Sequence, residues 1–197
     1  LGQFSVVSAL LALQDSGLDL ESENRERIGV LMGTALGGVA YAEEQAARFM
    51  QGGLRNVDAT LALAVFGGSS SCNIAIEFGV SGPNTTNAMS CASGTIAIGE
   101  AFRQIRDGYA DVMFAGAAEA PLATLCFGAF ALIRAMSTRN EEPALASRPF
   151  DLGRDGFVMG KGSPVLFLRA CRHAVALGAR IYAELAGFGT TNDAHHM

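Results

Sequence analysis

Apolar positions along this chain alternate between two spacings, and the changes of spacing mark out helices and strands in turn. In residues 4–15, Phe4, Val6, Val7, Leu10, Leu11 and Leu13 recur at helical intervals, and Gly17 supplies a stop. Arg27-Ile28-Gly29-Val30-Leu31-Met32-Gly33 is instead nearly continuous in apolar residues, as a strand covered on both faces should be. A glycine loop from Gly33 to Gly38 follows, then a helix rich in Ala, Glu and Arg that ends near Met50. Past a turn over residues 51–56, a helix is expected over 66–78, apolar on one face through Cys72, Ile74, Ile76 and Phe78.

The second half of the chain repeats the alternation. A strand over Asn84 to Met89 leads into Cys91, where a helix of small residues is predicted to begin and to end at Gly108. Asp111-Val112-Met113-Phe114-Ala115-Gly116 is the next strand, and residues 122–135 have helical character. Residues 138–162 form a long loop dense in Arg, Asp, Gly and Pro. A short strand (Val165 to Leu168), a helix (170–177) and a last strand (Ile181 to Gly189) complete the series. Strands that alternate with helices and are apolar throughout imply an α/β protein with a covered, largely parallel sheet.

Composition narrows the function. The 197 residues carry a net charge of −5, which disfavours a broad electrostatic grip on nucleic acid. No apolar run is long enough for a membrane span, and the first residues show neither a basic region nor a cleavage site. Cys72, Cys91, Cys126 and Cys171 lack the close pairing of zinc or redox motifs, so no metal is expected and a reducing, cytoplasmic compartment is. Residue 1 is Leu, and the chain stops straight after a strand; both suggest a piece of a longer protein.

The candidate chemistry lies at Cys91. A thiol at the N-terminus of a helix meets unpaired backbone N–H groups and the positive end of the helix dipole. Both favour the thiolate, the form that attacks carbonyls, and the same N–H groups can hold the resulting oxyanion. A buried structural thiol is the competing reading, and strand–Cys–helix with Ser93 and Gly94 just behind favours the nucleophile. Cys72, Cys126 and Cys171 lie in apolar helical stretches and read as structural.

Other residues leave alternatives open. The loop Gly33-Thr34-Ala35-Leu36-Gly37-Gly38 lacks the features of a phosphate cradle, so close backbone approach beside a substrate pocket is the better reading. Arg148, Asp151, Arg154 and Asp155 sit beside Phe150 and Phe157 in a loop whose length favours a function over simple solvation. His195 and His196 are either partners of the thiolate or exposed residues, and His173 reads as a surface residue. Glu119 either serves a site or makes a buried structural hydrogen bond.

Five segments occur in order: Ser90-Cys91-Ala92-Ser93-Gly94; Asp111-Val112-Met113 with Ala115-Gly116-Ala117-Ala118-Glu119; Ala135-Met136-Ser137-Thr138; Ser147-Arg148-Pro149-Phe150-Asp151; and Arg154-Asp155-Gly156-Phe157-Val158. Together they closely resemble the β-ketoacyl-[acyl-carrier-protein] synthases of the synthase II type, over nearly the whole chain. The resemblance implies the thiolase-like fold, with residues 1–178 as the N-terminal half of a five-layer αβαβα arrangement that lacks its first strand. Its sheet would be mixed and mainly parallel, and residues 179–197 would open a truncated C-terminal half.

The same resemblance implies the chemistry. Cys91 would carry the acyl chain as a thioester; malonyl-acyl carrier protein would lose CO₂ and add two carbons. Leu36 and Phe130 would line the acyl pocket, Arg134 would stand near the carrier-protein entrance, and His196 would match a histidine near the active site. Acyl carrier protein and acyl and malonyl thioesters would be the partners, no cofactor would be needed, and homodimers would form through the edge strand around Asn84 to Met89. The family's two catalytic histidines, its lysine and its glycine-rich gate with a phenylalanine would lie beyond Met197, so this chain alone is expected not to condense. Alternatives are a polyketide ketosynthase, a thiolase or a synthase working on CoA esters, and a non-catalytic chain-length or docking subunit, which Cys91 argues against. Two places depart from the family: Gly160-Lys161-Gly162-Ser163-Pro164 stands where Gly-Glu/Asp-Gly-Ala-Gly is usual, and Arg169 stands where an acidic residue is common.

Overall fold

A computed structural model describes residues 1–195. The chain divides into two compact units, one of Leu1–Gly37, Phe66–Glu119 and the chain from Gly162 onward, the other of Gly38–Val65 and Ala120–Lys161.

The first unit is built on a four-stranded sheet. Its strands are β1 (Ile28–Gly33), β2 (Asn84–Asn87), β3 (Val112–Ala117) and β4 (Val165–Arg169), in the spatial order β2-β1-β3-β4. β1 pairs in parallel with both β2 and β3, and β4 closes the other side antiparallel to β3. The sheet is therefore mixed and mainly parallel.

Because successive side chains on a strand point to opposite faces, one short run of residues feeds two cores. Ile28, Val30 and Met32 of β1 with Val112 and Phe114 of β3 face α1 (Gly2–Ser16) and, through Ile74 and Phe78, α4 (Ser69–Phe78). Leu31, Met113 and Ala115 face the other way, onto Ala97 and Ala101 of α5 (Ser93–Arg106). Phe114 is fully buried between a stacked Phe78, 5.5 Å away, and an edge-on Phe167 at 5.0 Å. Where β1 and β3 begin, Arg27 grips the Asp111 carboxylate with two bonds, Nε to Oδ2 at 2.5 Å and Nη2 to Oδ1 at 2.9 Å.

The second unit joins α2 (Val39–Gly52) and α3 (Leu61–Val65) to α6 (Thr124–Leu132) and the long loop after it. Glu43 at the start of α2 accepts from the Leu125 N–H at the start of α6. The loop is held rather than free: Asp155 accepts from the Ser137 hydroxyl at 2.7 Å and the Thr138 N–H at 3.1 Å. Those donors keep the Asp155 carboxyl below its ordinary value. A side chain at Gly156, where φ is 150°, would collide with the Met136 carbonyl group.

Four expectations change. Ile181 to Gly189 is not a strand; residues 179–194 lie without regular structure, and among the described residues no strand pairs with them. Phe188 from that segment instead lies on α5, against Gly99 and under the Arg103 guanidinium 4.9 Å from its ring centre. The helix over 66–78 begins at Ser69, and its buried face is Ile74 with Phe78, four residues apart, while Ile76 is 78% exposed. Cys72 and Cys171 are exposed and Cys126 only half-buried, so the structural reading of all three as core thiols does not hold. Cys72 lies outside the Ile74–Phe78 stripe, and Cys171 is the first residue of α7 (Cys171–Ala176). In α1 the best-buried residues are Ser5 and Ala9, and Phe4, Val7 and Leu11 are exposed.

Arg169 has an account. It ends β4 and donates through Nη2 to Glu23 Oε1 at 2.7 Å, a largely buried ion pair that holds the positive charge in place.

Candidate active site

The ends of β1 and β2 carry the candidate site. These strands are parallel neighbours with Gly33 opposite Asn87, so the segments leaving them emerge side by side. From β1 comes the glycine loop with Leu36; from β2 comes the turn with Cys91. Each segment is tied to the other: the Thr34 N–H donates to the Asn87 carbonyl at 3.0 Å.

Cys91 is the middle residue of a single tight helical turn, Ser90–Ala92, and α5 begins two residues later at Ser93. The helix was expected to start at the cysteine itself. The Ser93 N–H bonds back to the Ser90 carbonyl, and this i to i+3 closure winds the first turn tighter than an α-helix. Ser90 has φ of 52°, a left-handed conformation that is unusual for serine. Cys91 is exposed, with the Ser90 hydroxyl 3.8 Å from its sulfur. No side chain caps α5, and the N–H of its first residue, Ser93, is taken by the Ser90 carbonyl.

Asn87 organises this turn and is not signalled by hydrophobic spacing. Its amide nitrogen donates to the Ser93 carbonyl at 3.0 Å, and its oxygen accepts from the Met89 N–H at 3.2 Å. An Asn four residues before a cysteine that opens a helix is the available sequence signal, since Asn readily bonds a backbone N–H two residues on. Gly33 is just as tightly involved: a Cβ there would collide with the Ser93 backbone carbonyl. Only glycine lets β1 approach the start of α5 this closely.

Glu119 resolves to a structural bond at this end of the sheet. Its Oε2 accepts from the Ala35 N–H at 2.6 Å, the Leu36 N–H at 3.2 Å and the Thr34 hydroxyl at 3.3 Å.

Of the remaining predicted residues, Phe130 and Arg134 belong to the second unit. Phe130, on α6, meets Phe157 edge to face at 5.5 Å, and Arg134 follows the helix, exposed, at φ of 57°. His196 lies outside the described residues. Among the described residues no helix is long and apolar enough to cross a membrane.

A mixed sheet between helices, with a cysteine turn leading from one of its strands into a helix on its face, defines a thiolase-like α/β protein. The chain belongs to the β-ketoacyl synthase family: the family's N-terminal domain matches residues 2–174. It is 40% identical over 194 residues to 3-oxoacyl-[acyl-carrier-protein] synthase 2 of Synechocystis, covering 98% of this chain and 47% of that protein. The same-named protein of Vibrio harveyi is 41% identical over 195 residues, covering 99% of this chain and 47% of its own length. Among solved structures, a complex of a type II polyketide acyl-carrier protein with its ketosynthase has a chain that superposes with a TM-score of 0.94. That chain is 37% identical and is matched over 50% of its length by the whole of this one. The chain thus spans about half the length of the curated relatives it matches.

Proposed function

We propose that the protein carrying this chain condenses acyl groups with malonyl-acyl carrier protein, lengthening fatty acids by two carbons. The observation that carries this reading is the exposed Cys91 at the end of β2, one turn before an uncapped helix, in a chain of the β-ketoacyl synthase family. Its thiolate attacks the carbonyl of an acyl thioester, and the carrier's thiol leaves. Malonyl-carrier protein then loses CO₂; the carbanion attacks the acyl–Cys91 carbonyl, and the cysteine sulfur departs as thiolate. The backbone N–H of Cys91 is one donor to the oxyanion formed in each attack.

The other assignments belong to the same reading. Residues 1–178 are the N-terminal half of a ketosynthase and 179–197 the opening of the second half. Leu36 and Phe130 line the acyl chain, Arg134 receives the carrier protein, and His196 stands near the reacting sulfur. β2 is a sheet edge with a free side, which supports a homodimer formed by strand pairing there. Exposed, unbridged thiols at Cys72, Cys91 and Cys171 suit a cytoplasmic location.

The test is acyl transfer followed by peptide mapping. The full-length protein incubated with acyl-carrier protein should gain one acyl group on the Cys91 peptide. Malonyl-carrier protein should discharge it as a β-ketoacyl product, and Cys91→Ala should abolish both. Acylation elsewhere, or none, refutes the reading. A second reading, a polyketide ketosynthase, is favoured by the 0.94 TM-score to a polyketide ketosynthase complex. Repeated malonyl addition without reduction of the intermediates would establish it.

A further inference from the structure

We propose that Glu119 is a positioning residue that sets the place of Leu36 and, through it, the acyl lengths the protein accepts. This inference rests on the reading above that Leu36 lines the acyl chain.

The loop after β1 has little to hold it by itself. It is short, contains three glycines between Gly33 and Gly38, and carries Leu36 at 37% exposure. Beyond the Thr34–Asn87 backbone bond, its middle is held by a single carboxylate oxygen from just past β3. Glu119 lies two residues beyond β3, and its Oε2 gathers the Ala35 and Leu36 N–H groups together with the Thr34 hydroxyl. Thr34 extends the grip, because its hydroxyl oxygen also accepts from the Gly37 N–H at 3.0 Å. Four consecutive residues are thereby tied to one atom, directly or through one hydroxyl.

The anchor itself is firmly held. The Glu119 N–H donates to the Gly162 carbonyl at 2.8 Å, and the Gly162 N–H returns a bond to the Glu119 carbonyl at 3.0 Å. One residue earlier, the Ala118 N–H donates to the Gly33 carbonyl at 3.0 Å, so anchor and loop share the same end of the sheet. The second carboxylate oxygen, Oε1, is buried and has no hydrogen-bond partner among the described residues. A buried acceptor left unpaired is costly. The Glu119 bonds to the loop all fall on Oε2, which holds the backbone N–H groups of Ala35 and Leu36.

The test compares Glu119→Ala, Glu119→Gln, Thr34→Val and Leu36→Ala in the full-length protein. Two readings are taken: kcat/KM across a series of acyl-carrier-protein lengths, and hydrogen exchange at the Ala35 and Leu36 amides. Glu119→Ala should speed exchange of both amides about tenfold or more. It should also shift the ratio of long-chain to short-chain kcat/KM by at least about threefold, in the direction Leu36→Ala shifts it. Glu119→Gln keeps an oxygen for the same N–H groups and should restore the native ratio, a rescue that a general loss of stability would not produce. If Glu119→Ala does not fold, Thr34→Val carries the test, since it removes one donor to Oε2 and the acceptor for Gly37 while keeping the side chain's shape. A native length profile in folded Glu119→Ala, or in Thr34→Val where Glu119→Ala does not fold, while Leu36→Ala alters the profile, overturns the proposal. A native profile in Leu36→Ala overturns the pocket reading on which it stands.

Discussion

Gly33→Ala tests the link between the sheet and the nucleophile most directly. Gly33 is the last residue of β1, and the added Cβ would run into the carbonyl of Ser93, the first residue of α5. Backbone stands on both sides of the clash, so no side chain can swing away to relieve it. To reach ordinary contact, the start of α5 must retreat from β1 by about 1 Å, straining a well-packed joint at a cost of about 1–3 kcal/mol. For a chain of this size that corresponds to a fall of roughly 2–12 °C in thermal midpoint. The retreat also carries the Ser90–Ala92 turn with it, because Asn87 and Ser93 are bonded across the same joint. Displacing a reacting group by about 1 Å can lower a rate by as much as ~10²-fold. Thermal unfolding gives the first quantity, and the rate of acyl transfer to Cys91, followed by peptide mapping because Cys72 and Cys171 are also exposed, gives the second. An unchanged midpoint together with an unchanged rate would show that β1 and α5 are not in the close contact argued here.

Three further outcomes follow from the packing. Phe114→Ala empties a site walled by Phe78 and Phe167 and should cost about 3–5 kcal/mol, read as a lower urea midpoint; a loss below 1 kcal/mol would contradict the burial. Arg169→Ala leaves Glu23 partly buried without its partner and should destabilise by about 1–3 kcal/mol, while exchanging the two residues should recover part of that; equal loss in both variants would deny the pairing. Arg27's bonds hold the Asp111 carboxyl below its ordinary value, so their contribution is present above the unfolded carboxylate's pKa of about 3.9 and fades as pH falls through the lower folded value. Asp111→Asn should therefore be less stable than the native chain near neutrality and indistinguishable from it in strong acid; a gap that persists in acid would refute the linkage.

What could be read in residue order was whatever depends on near neighbours. The apolar runs of β1 and β3 need cover on both faces in any fold, and the structure supplies α1 and α4 on one side and α5 on the other. Cys91 between a strand and a helix was equally legible, because a turn and a helix start have local signatures. Tertiary contacts decided the rest. Ile181 to Gly189 has strand-like residues, but among the described residues no strand pairs with it, and an unpaired strand leaves its backbone groups to water. Spacing alone could not say which side of α4 meets the sheet, and only the packing selects Ile74 and Phe78 over Ile76. The role of Glu119 was hidden for the same reason: its partners stand 83 to 85 positions away, and only the pairing of β1 with β3 brings them within reach of one oxygen.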